Sequence, residues 1–553
     1  MNADDRVLAS RISNRMKTLS RKSLAHRTQP LLLGAIAALL CGTPIARGQI
    51  ETVKVTGGEL RGVVKDGVAV FKGIPFAAPP IGDLRWRPPQ PVQTWTGVKA
   101  ADHFAPAPMQ DAMMAMVMGG AANFSEDCLY LNVWTPAKTP DESLPVMVWI
   151  YGGAFVGGMT SAPVYDGAKL ARKGVVLVSL AYRLGAFGFL AHPELSRESG
   201  KGSGCYGLQD QVAGLRWVKE NIARFGGDPS RVTIFGESAG GISVSMLTVV
   251  PAAKGLFQRA ISESGGSMTP LKQADALGLS VPPLRQAEET GRQFLARLGA
   301  NDIKSARALD AKVIQKAVSG MGTFWPVADG ETIAGDESEL YEAGRFNDTP
   351  VLIGSNSDEG AMFVWTKPTP ETLEKQVRQD SGPAAEAILK AYPHATEAEA
   401  FKATKDLLRE GLFAWPTWTW AKLETRKGKH EAFVYYFDHH ASASPDGASH
   451  AAEISYVFGN LGGWGSGTSP EDLKLSSLMS SYWVNFAKTG DPNGSGLPNW
   501  PAFTELEMTA VCFNQATAPR PLPNLEKLKA IDAYFCWRRA QANTGAGEKH
   551  VGQ

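Results

Sequence analysis

Gly236-Glu237-Ser238-Ala239-Gly240 is the one GxSxG pentapeptide in the chain. A serine so flanked can act as a nucleophile when a strand runs into it and a helix leaves it, because that sharp turn pushes the hydroxyl out over the sheet edge. Glycines are required on both sides, since the turn brings the helix and strand backbones too close for side chains. Both flanks are legible: the apolar run Arg231-Val232-Thr233-Ile234-Phe235 precedes the pentapeptide, and the small-residue stretch Gly241-Ile242-Ser243-Val244-Ser245-Met246-Leu247 follows it. In a chain with 58 glycines the pentapeptide alone is a weak signal, so the strand–turn–helix context carries the reading against a plain structural serine. The chemistry such a serine performs is attack on a carbonyl carbon, and the helix N-terminus favours the negative charge that develops.

That charge needs backbone donors. Tyr151-Gly152-Gly153-Ala154-Phe155 follows the strand run Val146–Ile150, where the N–H groups of Gly153 and Ala154, with that of Ala239, could converge on an oxyanion. A plain glycine turn is the alternative, weakened by the elbow beside it. The serine also needs a base and an acid in the chain order Ser, acid, His. Asp358 and Glu359 both follow the strand run 351–354 across a short loop, and physics alone does not choose between them. Six histidines come later: His394, His430, His439, His440, His450 and His550. A base must stand on a loop beyond the carboxyl edge of the sheet. His439 and His440 end the strand run 431–437, and His450 follows a loop of small residues and opens an apolar segment, so these three compete. An unperturbed imidazole there would titrate near ~6.5.

The elements that must position these groups are apolar runs separated by helix-length intervals. Val146–Ile150, Val175–Leu180, Arg231–Phe235, Val351–Gly354 and Glu431–Phe437 read as buried strands of a largely parallel sheet covered on both faces. Between the second and third, Leu208, Val212, Leu215, Val218 and Ile222 recur at helical spacing and predict a helix over 208–225. Residues 275–320 are polar and helical in pattern, an excursion from the sheet. No repeat, linker or low-complexity stretch interrupts 49–540, which predicts a single α/β domain, with 541–553 a polar tail.

At this point the chain resembles a known family, the type-B carboxylesterase/lipase family that also contains cholinesterases. The resemblance spans roughly residues 50–540. It rests on Phe71-Lys72-Gly73-Ile74-Pro75-Phe76-Ala77, Ser125-Glu126-Asp127-Cys128-Leu129-Tyr130-Leu131-Asn132-Val133, the Gly-Gly-Ala-Phe run and Gly236–Gly240. Asn356-Ser357-Asp358-Glu359-Gly360, His450-Ala451-Ala452-Glu453-Ile454 and Trp483-Val484-Asn485-Phe486-Ala487-Lys488-Thr489-Gly490 continue it in order. The resemblance implies an α/β-hydrolase fold, no cofactor, and catalysis by Ser238, His450 and Glu359, the last chosen over Asp358 by alignment of Asp-Glu-Gly. It implies structural ion pairs Arg85–Glu126 and Arg183–Asp210, a supporting role for Ser264, and an electrostatic influence of Glu237 on the pocket. It also associates the Gly-Gly-Ala run with room for bulky alcohol groups.

Two departures narrow the reading. Met109 stands where relatives place a cysteine bridged to the one matching Cys128, so Cys128 is expected to be a free thiol. Cholinesterases carry a tryptophan before Ser-Glu-Asp-Cys to hold a quaternary ammonium; here residues 109–123 have no aromatic side chain and offer Met109, Met113, Met114, Met116 and Met118 instead. A choline ester is therefore not the expected substrate. A lipase with a methionine-rich lid is the alternative within the family, and a catalytically dead adhesion module is the alternative outside enzymes, disfavoured by the presence of Ser238, Glu359 and His450 together.

Over all 553 residues the chain is 44% hydrophobic and 20% charged, the balance of a folded globular protein. The formal net charge is +1, but residues 1–29 alone hold +5, which leaves the remainder at −4. That body has no basic field for nucleic acid. The basic stretch runs into the uncharged Leu31–Cys41 and then small residues, which reads as a secretory signal over 1–48, with Met16 as an alternative start and export to the periplasm or beyond. Five cysteines do not make a disulfide scaffold; Cys512 and Cys536 are candidates for a pair that sequence cannot decide. With no CxxC, HExxH or His-rich tract, no metal site is expected. The expected partner is a small ester, and the oligomeric state is open.

Overall fold

Leu144–Ile150 is apolar without alternation, the pattern of a strand covered on both faces. In the computed structural model it is a strand buried from Pro145 onward, at the centre of an eleven-stranded sheet. The structure describes residues 49–120, 123–272, 279–321, 324–364, 366–441 and 446–547. The expected export signal and the alternative start at Met16 lie outside the described residues.

The strands that carry the site run parallel in the order Val176–Leu180, Leu144–Ile150, Gly227–Glu237, Arg259–Glu263, Val351–Asn356, Ala432–Phe437 and Thr509–Phe513. Antiparallel strands close both edges, so the sheet is mixed rather than wholly parallel. Parallel register places every carboxyl end on one rim: Leu180 pairs with Ile150, Ile150 with Gly236, Glu237 with Glu263, and Asn356 with Phe437. The loops leaving that rim hold the oxyanion run, Ser238, Ser264, Glu359 and His450. One rim gathers the chemistry, as open α/β sheets require.

Helices pack against the sheet. Ala239–Val249 contacts the strands Leu144–Ile150, Gly227–Glu237 and Arg259–Glu263, and Trp415–Lys427 contacts Val351–Asn356 and Ala432–Phe437. The helix predicted over 208–225 is α-helical over Tyr206–Asn221, then tightens to a 3-10 turn over Ile222–Phe225. Gly226, at φ 75°, ends it by donating back to Ala223 and Ile222. The excursion is helical at Leu284–Leu298, Ile303–Arg307 and Ala311–Val318, the last two capped by Asp302 and Asp310. The C-terminal helix runs from Leu525 to Gly547. Residues 541–547 of the expected tail are therefore helical, because Ala540, Gln541 and Ala542 carry the helix on without a breaker.

Cys128, Cys205, Cys512 and Cys536 are all free. Cys512 and Cys536 do not pair: the first is buried on the strand Thr509–Phe513, the second exposed on the C-terminal helix. Cys128 and Met109 line one cavity together with Arg85, Glu126 and Arg183. Both expected ion pairs are present, Arg85 to Glu126 at 2.5 Å and Arg183 to Asp210 at 2.7 Å. Among the described residues no helix is long and apolar enough to cross a membrane.

Candidate active site

The sequence around Ser238 leaves its backbone one conformation. Gly236 and Gly240 let strand and helix meet; a Cβ on Gly240 would stand 2.0 Å from the Ile150 carbonyl oxygen. The serine between them takes φ 53° and ψ −122°, a strained geometry for a residue with a side chain. Two hydrogen bonds hold it there, Ser238 N–H to the Glu263 carbonyl at 2.9 Å and Ile242 N–H to the Ser238 carbonyl at 2.8 Å. From Val232 to Val250 every residue is buried except Ser238. The turn thus brings one hydroxyl out of an otherwise sealed core. Strain is concentrated here: of eleven non-glycine residues with positive φ among the described residues, Ala154, Phe155, Ser238, Ser264 and Ala451 belong to this rim.

Glu359 leaves the strand Val351–Asn356 on a 3-10 turn and is fully buried. One oxygen, Oε1, accepts from Ser264 Oγ at 2.6 Å and from the Asn356 N–H at 2.7 Å; the other, Oε2, lies 2.5 Å from His450 Nδ1. That carboxylate fixes which ring nitrogen carries the proton and leaves Nε2 as the basic one. Asp358 points elsewhere, toward Lys405 Nζ at 3.1 Å. Among the competing histidines, His439 Nε2 is engaged by Asp472 at 2.7 Å, and His440 is exposed beside Asp438. The structure therefore brings Glu359, Ser264 and His450 into one chain and leaves Asp358, His439 and His440 out of it. Accordingly, Glu359→Gln should cut kcat about 10³-fold or more, while Asp358→Asn stays within about threefold of the parent. Steady-state kinetics on a p-nitrophenyl ester reads both, and the reverse order would move the acid to Asp358.

His450 does not titrate like a free imidazole. Burial alone would push it down, but the Glu237 and Glu359 carboxylates outweigh burial and hold it up at about 9, above the expected ordinary value. Its Nε2 lies 3.2 Å from Glu237 Oε1, within ion-pair range though not hydrogen-bonded to it. Burial in turn raises Glu237 to about 8, against the pull of His450 and with Glu453 and Glu359 adding to the rise. Each carboxylate beside the ring favours the ring's charged form, and the charged ring opposes the rise of Glu237. A base works as neutral imidazole, so a raised value places the acid limb of kcat/KM at higher pH. Removing the neighbouring carboxylate by Glu237→Gln should slide that limb to lower pH by about one unit. An unmoved limb would show that Glu237 does not face the base.

The oxyanion run abuts the serine. A Cβ on Gly152 would stand 3.0 Å from Ser238 Cβ and 2.9 Å from Glu237 Oε2. Gly153, Ala154 and Phe155 follow with φ of 110°, 53° and 59°, three successive left-handed residues that turn the chain around the serine. Among the described residues, the N–H groups of Gly153, Ala154 and Ala239 donate to no protein acceptor. The Ser238 hydroxyl likewise makes no hydrogen bond to a described group; contacts of this kind commonly tighten only around substrate. Two residues invisible to sequence reasoning flank the base. Phe413 lies 4.6 Å from the His450 ring and Phe363 lies 5.5 Å from it. Phe363 closes the turn that begins at Glu359, whereas Phe413 sits in a π-helical turn over Glu410–Ala414, which no periodicity announces. Among the described residues no cluster could hold a metal ion.

A nucleophile elbow, a buried carboxylate–imidazole pair and free backbone donors can together carry acyl transfer. Known proteins agree with that chemistry. The profile described as "Carboxylesterase family" matches residues 49–520. Over 504 residues the chain is 38% identical to the para-nitrobenzyl esterase of Bacillus subtilis (strain 168), covering 87% of this chain and 98% of that protein. It is 38% identical over 479 residues to the fumonisin B1 esterase of Sphingopyxis macrogoltabida, covering 81% and 83%, and 36% identical over 533 residues to the liver carboxylesterase of Sus scrofa, covering 86% and 92%. A solved PNB esterase superposes with a TM-score of 0.78 at 35% identity, covering 87% of this chain and 99% of that one. The mixed sheet with its helices is thus the α/β-hydrolase fold, and the chain belongs to the carboxylesterase family as a carboxylic ester hydrolase.

Proposed function

We propose that the protein is an exported serine carboxylesterase that works through an acyl-enzyme. Ser238 attacks the ester carbonyl as His450 Nε2 takes its proton. Backbone N–H groups of Gly153, Ala154 and Ala239 hold the oxyanion, and His450 returns the proton to the departing alcohol. Water, activated by the same imidazole, then releases the acid. Glu359 keeps the ring oriented and stabilises its charged form. The observation that carries this reading is the 2.5 Å bond between His450 Nδ1 and Glu359 Oε2, in the rim where Ser238 is the one residue of its turn left unburied. The basic stretch and uncharged run within residues 1–48 support export.

The direct test is pre-steady-state hydrolysis of p-nitrophenyl acetate by the whole chain. An acyl-enzyme gives a burst of nitrophenol stoichiometric with enzyme when deacylation is slow; hydrolysis that water carries out in one step gives the same linear rate from the first turnover under all conditions of alcohol and acyl group.

Lipase activity is the second reading, and one observation favours it. Met113, Met116 and Val117 are 76%, 73% and 69% exposed on the short helix Ala112–Val117, whose Met114 packs against Gly157 of the oxyanion loop. A jump in rate when a medium-chain triacylglycerol passes from solution to emulsion would support it, and a smooth saturation curve would remove it.

A further inference from the structure

The oxyanion loop runs from Gly152 to Gly158. Gly153 O accepts from Val156 N–H and Gly157 N–H, both at 3.0 Å, and this folds the loop back on itself. Its returning end, Gly158, lies against its beginning: at φ +121°, a Cβ there would stand 2.6 Å from the Gly152 carbonyl oxygen and 2.4 Å from the Tyr151 ring. Only glycine fits such an approach. Two ends packed this closely move together, so whatever fixes Gly158 also fixes Gly152 and the donors that follow it.

One side chain fixes Gly158. Gln110 is 3% exposed, and its amide bonds both the N–H and the carbonyl of that single residue. Gln110 Nε2 donates to the Gly158 carbonyl at 2.8 Å, and Gln110 Oε1 accepts from the Gly158 N–H at 2.9 Å. A third bond, Nε2 to the Pro108 carbonyl at 3.0 Å, ties the amide to the preceding strand Ala107–Pro108, which pairs with Phe124–Ser125. The same amide oxygen is 3.5 Å from where a Cβ on Gly157 would stand, with Met114 closer still. A two-point amide clamp of this kind sets both the position and the tilt of a peptide unit.

We propose that Gln110 is a positioning residue for catalysis: its amide clamps Gly158 and thereby holds the Gly153 and Ala154 N–H groups where the oxyanion forms. The inference rests on the oxyanion assignment above. A donor displaced by a fraction of an ångström still lets substrate bind and is felt chiefly when charge develops on the oxygen. The clamp therefore acts on kcat rather than on KM. It also has a chemical signature. A glutamic acid at this position can replace the amide only while protonated, since a carboxylate accepts from the Gly158 N–H but repels its carbonyl.

The test compares Gln110→Ala and Gln110→Glu with the parent on p-nitrophenyl acetate, with thermal melting as a check on folding. Gln110→Ala is expected to lower kcat about 10- to 100-fold with KM changed less than about threefold, and to weaken inhibition by a trifluoromethyl ketone in the same proportion as kcat. Gln110→Glu is expected to stay closer to the parent at low pH, with the ratio of its kcat to the parent's falling as pH rises. Unchanged kcat in Gln110→Ala overturns the proposal. So does a loss confined to KM, or, should Gln110→Ala not fold, a Gln110→Glu ratio that is flat with pH. Because every quantity is a ratio to the active parent, failure of the oxyanion assignment shows separately, as ketone inhibition in the parent no tighter than substrate binding.

Discussion

Ser238→Ala is expected to lower kcat on any activated ester by roughly 10⁴- to 10⁶-fold while leaving the melting temperature within a few degrees of the parent. The effect is large because, in the proposed mechanism, the hydroxyl forms the covalent intermediate, and what survives is catalysis by the oxyanion donors alone. The fold is spared because the strained turn is held by backbone bonds to Glu263 and Ile242, which alanine retains. The side chain itself makes no hydrogen bond to a described group, so its removal leaves no orphaned partner. Purified variant and parent, compared in thermal melts and over a wide enzyme concentration range, measure both quantities. Residual activity within about tenfold of the parent would place the nucleophile elsewhere.

His450→Ala is expected to cost nearly as much, on the order of 10⁴-fold or more, while His440→Ala stays within about twofold. The contrast follows from burial and partners. His450 is buried against Glu359 and Glu237, between the rings of Phe413 and Phe363, and cannot be replaced by solvent. His440 is half exposed on a different part of the loop. The same contrast separates His450 from His439, whose Nε2 is held by Asp472, a carboxylate that Tyr456 also hydrogen-bonds. Exogenous imidazole gives a further reading: partial rescue of His450→Ala, and none of Ser238→Ala, assigns the proton transfer to the missing ring. Inactivity of His440→Ala with an active His450→Ala would transfer the base to His440.

Much of this arrangement is legible in the sequence. The strand runs at 146–150, 231–235, 351–354 and 431–437 appear within a few residues of their observed ends, because strands buried on both faces are continuously apolar. Ser238 was legible from glycines that only close backbone packing explains. The acid was not legible from physics, since Asp358 and Glu359 are adjacent; three-dimensional contact separates them, one turned to Lys405 and the other to Ser264 and His450. The raised titration of His450 was out of reach as well, because Glu237 lies 213 positions away in the chain and approaches only through the fold. Phe413 arrives on a π-helical turn and Gln110 through a clamp across the oxyanion loop, and neither leaves a periodic trace in sequence.

The central claim is that one hydroxyl, Ser238, carries the acyl group. Reaction of the whole chain with a fluorophosphonate, followed by digestion and mass spectrometry, measures this directly. The account predicts a single stoichiometric adduct on the peptide containing Gly236–Gly240, with its formation abolished in Ser238→Ala and slowed in His450→Ala. An adduct on any other residue, or full inactivation with that peptide unmodified, would contradict it.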